Sequence, residues 1–348
     1  MIIYERLPKR RVGKTTLAVT TLGFGGAPIG NLYRSLSEQN ALKTLSTAIK
    51  SGVSFFDTAP RYGAGLSERR IGDVLRSVAA DQYVLSTKVG RLFRAKRDAK
   101  TDELRYGFLS PMPFEPEYNY TYDGIMRSWE DSLQRLGIAH IDILLVHDLG
   151  KFNHGKLDTL YFQQFESSGY RALEELRGSG DVTAVGLGVN ETEVCERAME
   201  VGRFDCFLLA GRYTLLEQRA LSTFFPKCES HGASIILGGP YNSGILASGV
   251  RGGNTPYYDY EPAKEDIIRR VASIEDVCSE FEVPLPAAAL QFPLANPLVS
   301  SIIPGLDSDR QVQQAVAYLN LKIPLKFWET LKSKGLIEGN APVPTGSG

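Results

Sequence analysis

Eight short apolar runs, each followed by a stretch of helical period, constrain this chain more than any other feature. The runs cover residues 21–25, 54–59, 83–89, 141–147, 182–189, 206–210, 234–239 and 300–304, and each closes on small, polar or charged residues. The helical segments behind them fall at 37–50, 68–78, 123–136, 170–177, 192–201, 218–230, 264–281 and 309–318. In the first of these, Ser37 can cap while Ala41, Leu42, Leu45, Ala48 and Ile49 make an apolar face. Strands alternating with helices call for a parallel sheet covered by helices. Eight units fit an α/β (β/α)8 TIM barrel, with an open doubly wound sheet as the alternative. No GxGxxG follows the first run, which favours the barrel. Residues 11–17 are placed to form an N-terminal hairpin cap at its bottom.

Two connections exceed the usual length and are candidates to wall a pocket: residues 90–122, rich in aromatics and proline, and residues 148–165. Residues 1–334 read as one barrel domain, and 335–348 as a flexible Gly/Pro/Ser tail. With 43% hydrophobic and 23% charged residues among 348, and a formal net charge of −1, the chain has a substantial core and no bulk field for nucleic acid or an anionic membrane. No apolar stretch approaches a membrane span or a signal core. Cys195, Cys206, Cys228 and Cys278 lack CxxC spacing and the histidines are dispersed, so neither a disulfide framework nor a metal site is expected. The expectation is a reduced, cytoplasmic protein, a monomer or small homo-oligomer acting on a small molecule.

Chemistry collects at the ends of three successive runs. Asp57 and Tyr62 follow the second, Lys88 lies in the third and His147 ends the fourth. Neighbouring parallel strands are about 5 Å apart, so these groups can share a site. Singly, Asp57 reads as well as a turn residue, Tyr62 as a turn aromatic and His147 as a core histidine. Together they form a proton-transfer device: Lys88 needs Asp57 as counter-charge when buried, and an ammonium beside a phenol should lower its pKa from about 10. His147 can hydrogen-bond the same substrate oxygen, which suits an alcohol/carbonyl centre.

The segments FFDTAPRYG followed by SERRIG, VLSTKVG, DSLQRLGIAHIDILLVHD and IIPGLDSDRQV resemble the aldo-keto reductases over roughly residues 15–320. The resemblance implies a TIM barrel that holds a nicotinamide cofactor across its C-terminal face. It makes Tyr62 the proton donor or acceptor, tuned by Lys88 with Asp57, while His147 orients the substrate oxygen. It implies cofactor contacts at Gly26, Ala27, Asn190, Pro240, Asn242, Ser243, Gly305, Asp307, Gln311 and Gln314. The Lys-Ser pair and the arginine that hold a 2′-phosphate in many members are here Gly305, Leu306 and Gln311, so NAD is expected rather than NADP, with Arg310, one position off, as the cation left to hold such a phosphate. Gly238-Gly239-Pro240 replaces the aromatic that usually stacks on the nicotinamide, leaving Tyr213 or Tyr241 for that task.

Residues 118–124, 186–191 and 238–244, with His147-Asp148, look like the aldose 1-dehydrogenase branch, which includes L-fucose, L-galactose and pyridoxal 4-dehydrogenases. The implied reaction is NAD-dependent oxidation of a cyclic hemiacetal to a lactone, with Asp148 accepting hydrogen bonds from sugar hydroxyls. The alternatives are pyridoxal as substrate, NADPH-dependent aldehyde or ketone reduction, and a non-catalytic barrel that senses cofactor.

Overall fold

The computed structural model describes residues 7–253 and 255–345. The apolar runs become eight strands: β1 (Phe24–Gly25), β2 (Phe55–Asp57), β3 (Val84–Val89), β4 (Ile143–His147), β5 (Ala184–Val189), β6 (Cys206–Ala210), β7 (Ser234–Gly238) and β8 (Val299–Ile303). They are parallel and lie side by side in chain order. Leu22 bridges Ile302 and Gly25 bridges Gly305, which closes the sheet into the expected barrel.

Alternation along each strand divides the core in two. Phe55, Val84, Ile143, Leu145, Ala184, Cys206, Leu208, Ile236 and Ile303 form an inner cluster, while Phe56, Leu85, Leu144, Val146, Val185 and Leu187 join the larger layer under the helices. The inner cluster also takes in Val12 and Val19. They come from an antiparallel hairpin, Lys9–Arg11 paired with Ala18–Thr20, so the cap is built slightly wider than residues 11–17, which supply its turn.

The long connections are structured. After β3, Arg91–Ala95 pairs antiparallel with Phe114–Tyr118, and Leu104–Arg105 with Phe108–Leu109, making a two-tier arm. The Arg105 guanidinium pins its turn by donating to the carbonyls of Phe114 (3.0 Å), Pro111 (3.2 Å) and Met112 (2.9 Å). After β4 the expected loop is helical: Lys151–His154 and Asp158–Gln164 run through Phe165–Gly169 into Tyr170–Ser179. Phe162 and Phe165 give it only a short buried stripe, too brief a period to stand out beside Gly155.

Two further helices, Leu285–Leu294 and Leu325–Ser333, were not foreseen. The first is apolar on most sides and its periodicity is correspondingly faint. Much of the expected tail is packed as well: Leu336, Ile337 and Ala341 are buried, and the Glu338 N–H reaches Gln218 Oε1 at 3.2 Å. Its last three residues, and residues 1–6 at the other end, lie outside the described chain. Among the described residues no helix is long and apolar enough to cross a membrane, and no group of three His, Cys, Asp or Glu side chains could hold a metal ion. The cysteines are free and buried.

Candidate active site

Strand parity aims the chemistry. Asp57, Lys88 and His147 occupy the same parity as the inward residues Phe55, Val84 and Leu145, so all three point into the barrel near its C-terminal mouth. Lys88 is 1% exposed and donates to both Asp57 oxygens, at 2.9 and 2.7 Å, and to the Thr58 carbonyl at 2.8 Å. Ser86 donates to Asp57 Oδ1 at 2.6 Å. On β5, opposite His147, stands Gly188, where a Cβ would come within 3.1 Å of Lys88 Cε; the glycine leaves room for the lysine stem.

Tyr62 is carried by the turn after β2, with its N–H on the Ala59 carbonyl at 3.1 Å. Gly30 packs against its backbone so closely that a Cβ would stand 2.7 Å from its carbonyl carbon. Lys88 Nζ lies 4.9 Å from the Tyr62 ring centre, and the His147 ring meets Tyr62 edge-on at 5.9 Å. The four predicted groups are thus brought together.

Their protonation differs from the sequence reading in one respect. Burial pushes the Tyr62 phenol up to about 12; Lys88 pulls it down, and Asp57 and Asp148 add to the rise. Tyr62 is therefore a held acid in the free enzyme, not a phenolate. Burial opposes charge on Lys88, but Asp57 and Tyr62 outweigh it and keep the ammonium above its usual range. Burial, with Arg91, Lys88 and Arg61 nearby, drives His147 well below its usual value despite Asp148, so the imidazole is neutral. Its buried Nδ1 has no hydrogen-bond partner among the described residues.

Asp148, expected to accept hydrogen bonds from sugar hydroxyls, already has one oxygen engaged by two arginines. Its backbone is left-handed (φ 54°), held by an N–H bond of 2.9 Å to the Gly188 carbonyl. That turn brings Oδ2 onto Arg91 and, at 3.3 Å, onto Arg61, with Oδ1 3.7 Å from His147 Nε2. Burial alone would raise this carboxyl; His147, Arg91, Arg61 and Lys88 hold it well below the carboxylate range. Tyr120 Oη donates to the His147 carbonyl (2.8 Å) and meets His154 Nε2 (2.9 Å), bracing the strand end. Arg61, Arg91 and Tyr120 escaped the sequence reading. The signal for Arg91 was a second cation three residues after Lys88, at the start of the long connection expected to wall the pocket.

From this cluster a cleft of about 650 Å³ runs across the C-terminal face. Gly26, Ala27, Asn190, Pro240, Asn242, Ser243, Gly305, Asp307, Gln311 and Gln314 all line it, together with Asp57 and Tyr62. Part of its lining is glycine backbone packed too closely against neighbouring residues to carry a side chain. A Cβ at Gly305 would meet Pro28 at 2.8 Å, and one at Gly26 would meet the Asp57 carbonyl at 2.7 Å. An extended dinucleotide fits such a lining, because its backbone can be approached closely.

Within the cleft some predicted residues serve the protein first. Asn242, left-handed at φ 44°, is tied to Thr214 Oγ1 (2.6 Å) and the Gly211 carbonyl (3.3 Å), so it anchors the loop. Gln311 Oε1 accepts the Asp307 N–H at 3.0 Å. Tyr241 lines the cleft, whereas Tyr213 is fully buried against Phe225 and Phe292 and cannot stack on a ligand there. A strap the sequence did not announce crosses the rim: Tyr260 takes Asn190 Nδ2 at 3.3 Å, its N–H reaches Ser243 Oγ at 3.0 Å, and Asp259 pairs with Arg212. Further along the cleft Arg34 pairs with Asp307.

Residues 21–335 match the model of the Aldo/keto reductase family. A pyridoxal 4-dehydrogenase of Microbacterium luteolum is 43% identical over 337 residues, covering 94% of this chain and 98% of that one. A D-threo-aldose 1-dehydrogenase of a Pseudomonas species is 37% identical over 325 residues, covering 92% and 95%. Among solved structures, an aldo-keto reductase from Bacillus halodurans in its holo form superposes with a TM-score of 0.73 at 23% identity, covering 98% and 99%, which bears on the fold.

Proposed function

The chain belongs to the aldo/keto reductase family and is an oxidoreductase that works with a nicotinamide cofactor, and from that premise we propose that it oxidises the hemiacetal carbon of a cyclic substrate to the lactone with NAD, the candidates being a free aldose of the L-fucose, L-galactose or D-arabinose type and pyridoxal. The observation that carries the reading is the buried Lys88–Asp57 pair against Tyr62, with a neutral His147, at the end of the glycine-lined cleft.

The cleft residues, among them Gly26, Asn190, Ser243 and Gly305, would hold the nicotinamide cofactor, which would supply a hydride acceptor at the end of the cleft where Asp57 and Tyr62 lie. Tyr62 first gives up its own proton to solvent, and as the phenolate it then receives the anomeric hydroxyl proton as the carbon–oxygen bond becomes a carbonyl. Lys88, itself fixed by Asp57, stabilises the phenolate form that this transfer needs. His147, neutral and with Nδ1 unpartnered, holds the same oxygen by a hydrogen bond and does not compete for the proton.

NAD rather than NADP is supported by Asp307, a carboxylate lining the cleft beside Gly305, whose charge opposes a 2′-phosphate. Arg34, the cation nearest it, is already paired with that carboxylate. Pyridoxal, which closes into an internal hemiacetal, is a second reading favoured by the 43% relative. The deciding assay follows NADH formation with a panel of aldoses and pyridoxal, with NADP in parallel and Tyr62→Phe as control. A signal with any hemiacetal, abolished in the control and weak with NADP, upholds the proposal. Silence across the panel, with NADPH-dependent reduction of simple aldehydes, overturns it.

A further inference from the structure

The charges around the reacting position do not cancel. Lys88 is matched by Asp57, and Arg91 by Asp148, in two pairs whose side chains are all 7% exposed or less. His147 and Tyr62 are neutral. Arg61 remains as the surplus cation: it shares the Oδ2 that Arg91 already holds, at a long 3.3 Å, and its side chain is 35% exposed. It immediately precedes Tyr62 in the chain. The carboxylate it shares lies with its other oxygen 3.7 Å from His147 Nε2, so the guanidinium stands beside both Tyr62 and His147.

A half-free guanidinium beside the proton-transfer tyrosine is a ready partner for an oxyanion, by charge-assisted and potentially bidentate bonding. A neutral pyranose gives it nothing to neutralise. We propose that Arg61 is a specificity residue which binds an ionised hydroxyl on the substrate, ortho to the carbon that carries the hemiacetal, and that the preferred substrate class is an aromatic cyclic hemiacetal bearing such an oxyanion. Pyridoxal, with its acidic ring 3-hydroxyl, belongs to that class. The inference rests on the hemiacetal-oxidation reading and selects between its two substrates.

The test compares wild type, Arg61→Gln and Arg61→Lys on three substrates with saturating NAD: pyridoxal, 3-O-methylpyridoxal and L-fucose. In Arg61→Gln the ratio of kcat/KM for pyridoxal to that for L-fucose falls about tenfold or more, chiefly through KM for pyridoxal. Arg61→Lys recovers part of it, because charge persists without the planar fork. Wild type discriminates against the 3-O-methyl compound, and Arg61→Gln does not. An equal loss on pyridoxal and L-fucose, or no discrimination by wild type against the methyl ether, overturns the role. Calorimetric binding of 4-pyridoxolactone to the NADH-bound protein reads the same contact without turnover. About tenfold weaker binding in Arg61→Gln supports the proposal, and unchanged binding refutes it. Absence of NADH formation from any hemiacetal in wild type refutes the oxidation reading separately.

Discussion

Lys88 is the residue on which the site balances. Its ammonium is fully buried with three oxygen acceptors, and removing it leaves Asp57 as an uncompensated buried charge. Lys88→Met is expected to destabilise the fold by about 3–5 kcal/mol, and adding Asp57→Asn should recover a large part of that loss. Denaturant titrations of the two single variants and the double variant form the cycle that checks it. His147 gives a prediction of opposite chemistry. Its folded pKa is depressed, whereas the unfolded residue takes up a proton near 6.5, so below that pH the unfolded chain binds more protons. Stability attributable to His147 is present above pH about 6.5 and is lost as pH falls. Unfolding midpoints of His147→Gln should therefore decline less than those of wild type between about pH 7 and 5. The rate of oxidation should climb with pH above neutrality without a break near 6.5, since Tyr62, raised to about 12, is the group that must shed its proton.

At the scale of elements, close approach of helices fixes the frame around the second strand's turn. Gly72, in the helix Leu66–Leu75, lies against the end of Tyr122–Leu136, and a Cβ there would stand 1.9 Å from the Leu136 carbonyl oxygen. Backbone, unlike a flexible side chain, cannot give way cheaply. Gly72→Ala is expected to cost about 1–3 kcal/mol, visible as a lower thermal midpoint, even though alanine is the better helix former. The same interface buries Glu68, which accepts Thr87 Oγ1 at 2.7 Å and Arg135 Nε at 2.5 Å. The SERRIG segment thus has a packing role as well as a place in the family pattern: Ser67 ties Gly26 to the turn, and Arg70 holds the Ile29 carbonyl and Asn31.

Over the whole molecule the cleft spans residues from β1 to β8 and is bordered by the Arg34–Asp307 pair and the Tyr260 strap. A cofactor that binds only the folded state must stabilise it, by about 2.7 kcal/mol at a hundredfold excess over Kd. NAD is expected to raise the melting temperature more than NADP at equal concentration. Asp307→Asn removes the opposing charge and releases Arg34, so it should shift the ratio of kcat/KM for NADP to NAD upward by about tenfold. A ratio unmoved by Asp307→Asn would mean that the adenosine end of the cofactor lies elsewhere.

Much of this was legible in the chain itself, because periodicity and strand ends are local. Eight apolar runs gave the barrel, and inward parity placed Asp57, Lys88 and His147 at one mouth with Tyr62 on the turn beside them. The mostly apolar helix Leu285–Leu294 and the helices after β4 carried too little period to be read. Only the folded barrel decided how the groups titrate. Burial turned Tyr62 into a held acid, where the sequence, showing a lysine nearby and no dielectric, argued for a phenolate. Tertiary structure also decided partnership: Arg61, Arg91 and Asp148 are far apart in the chain, and their shared oxygen exists only once β2, β3 and β4 lie side by side.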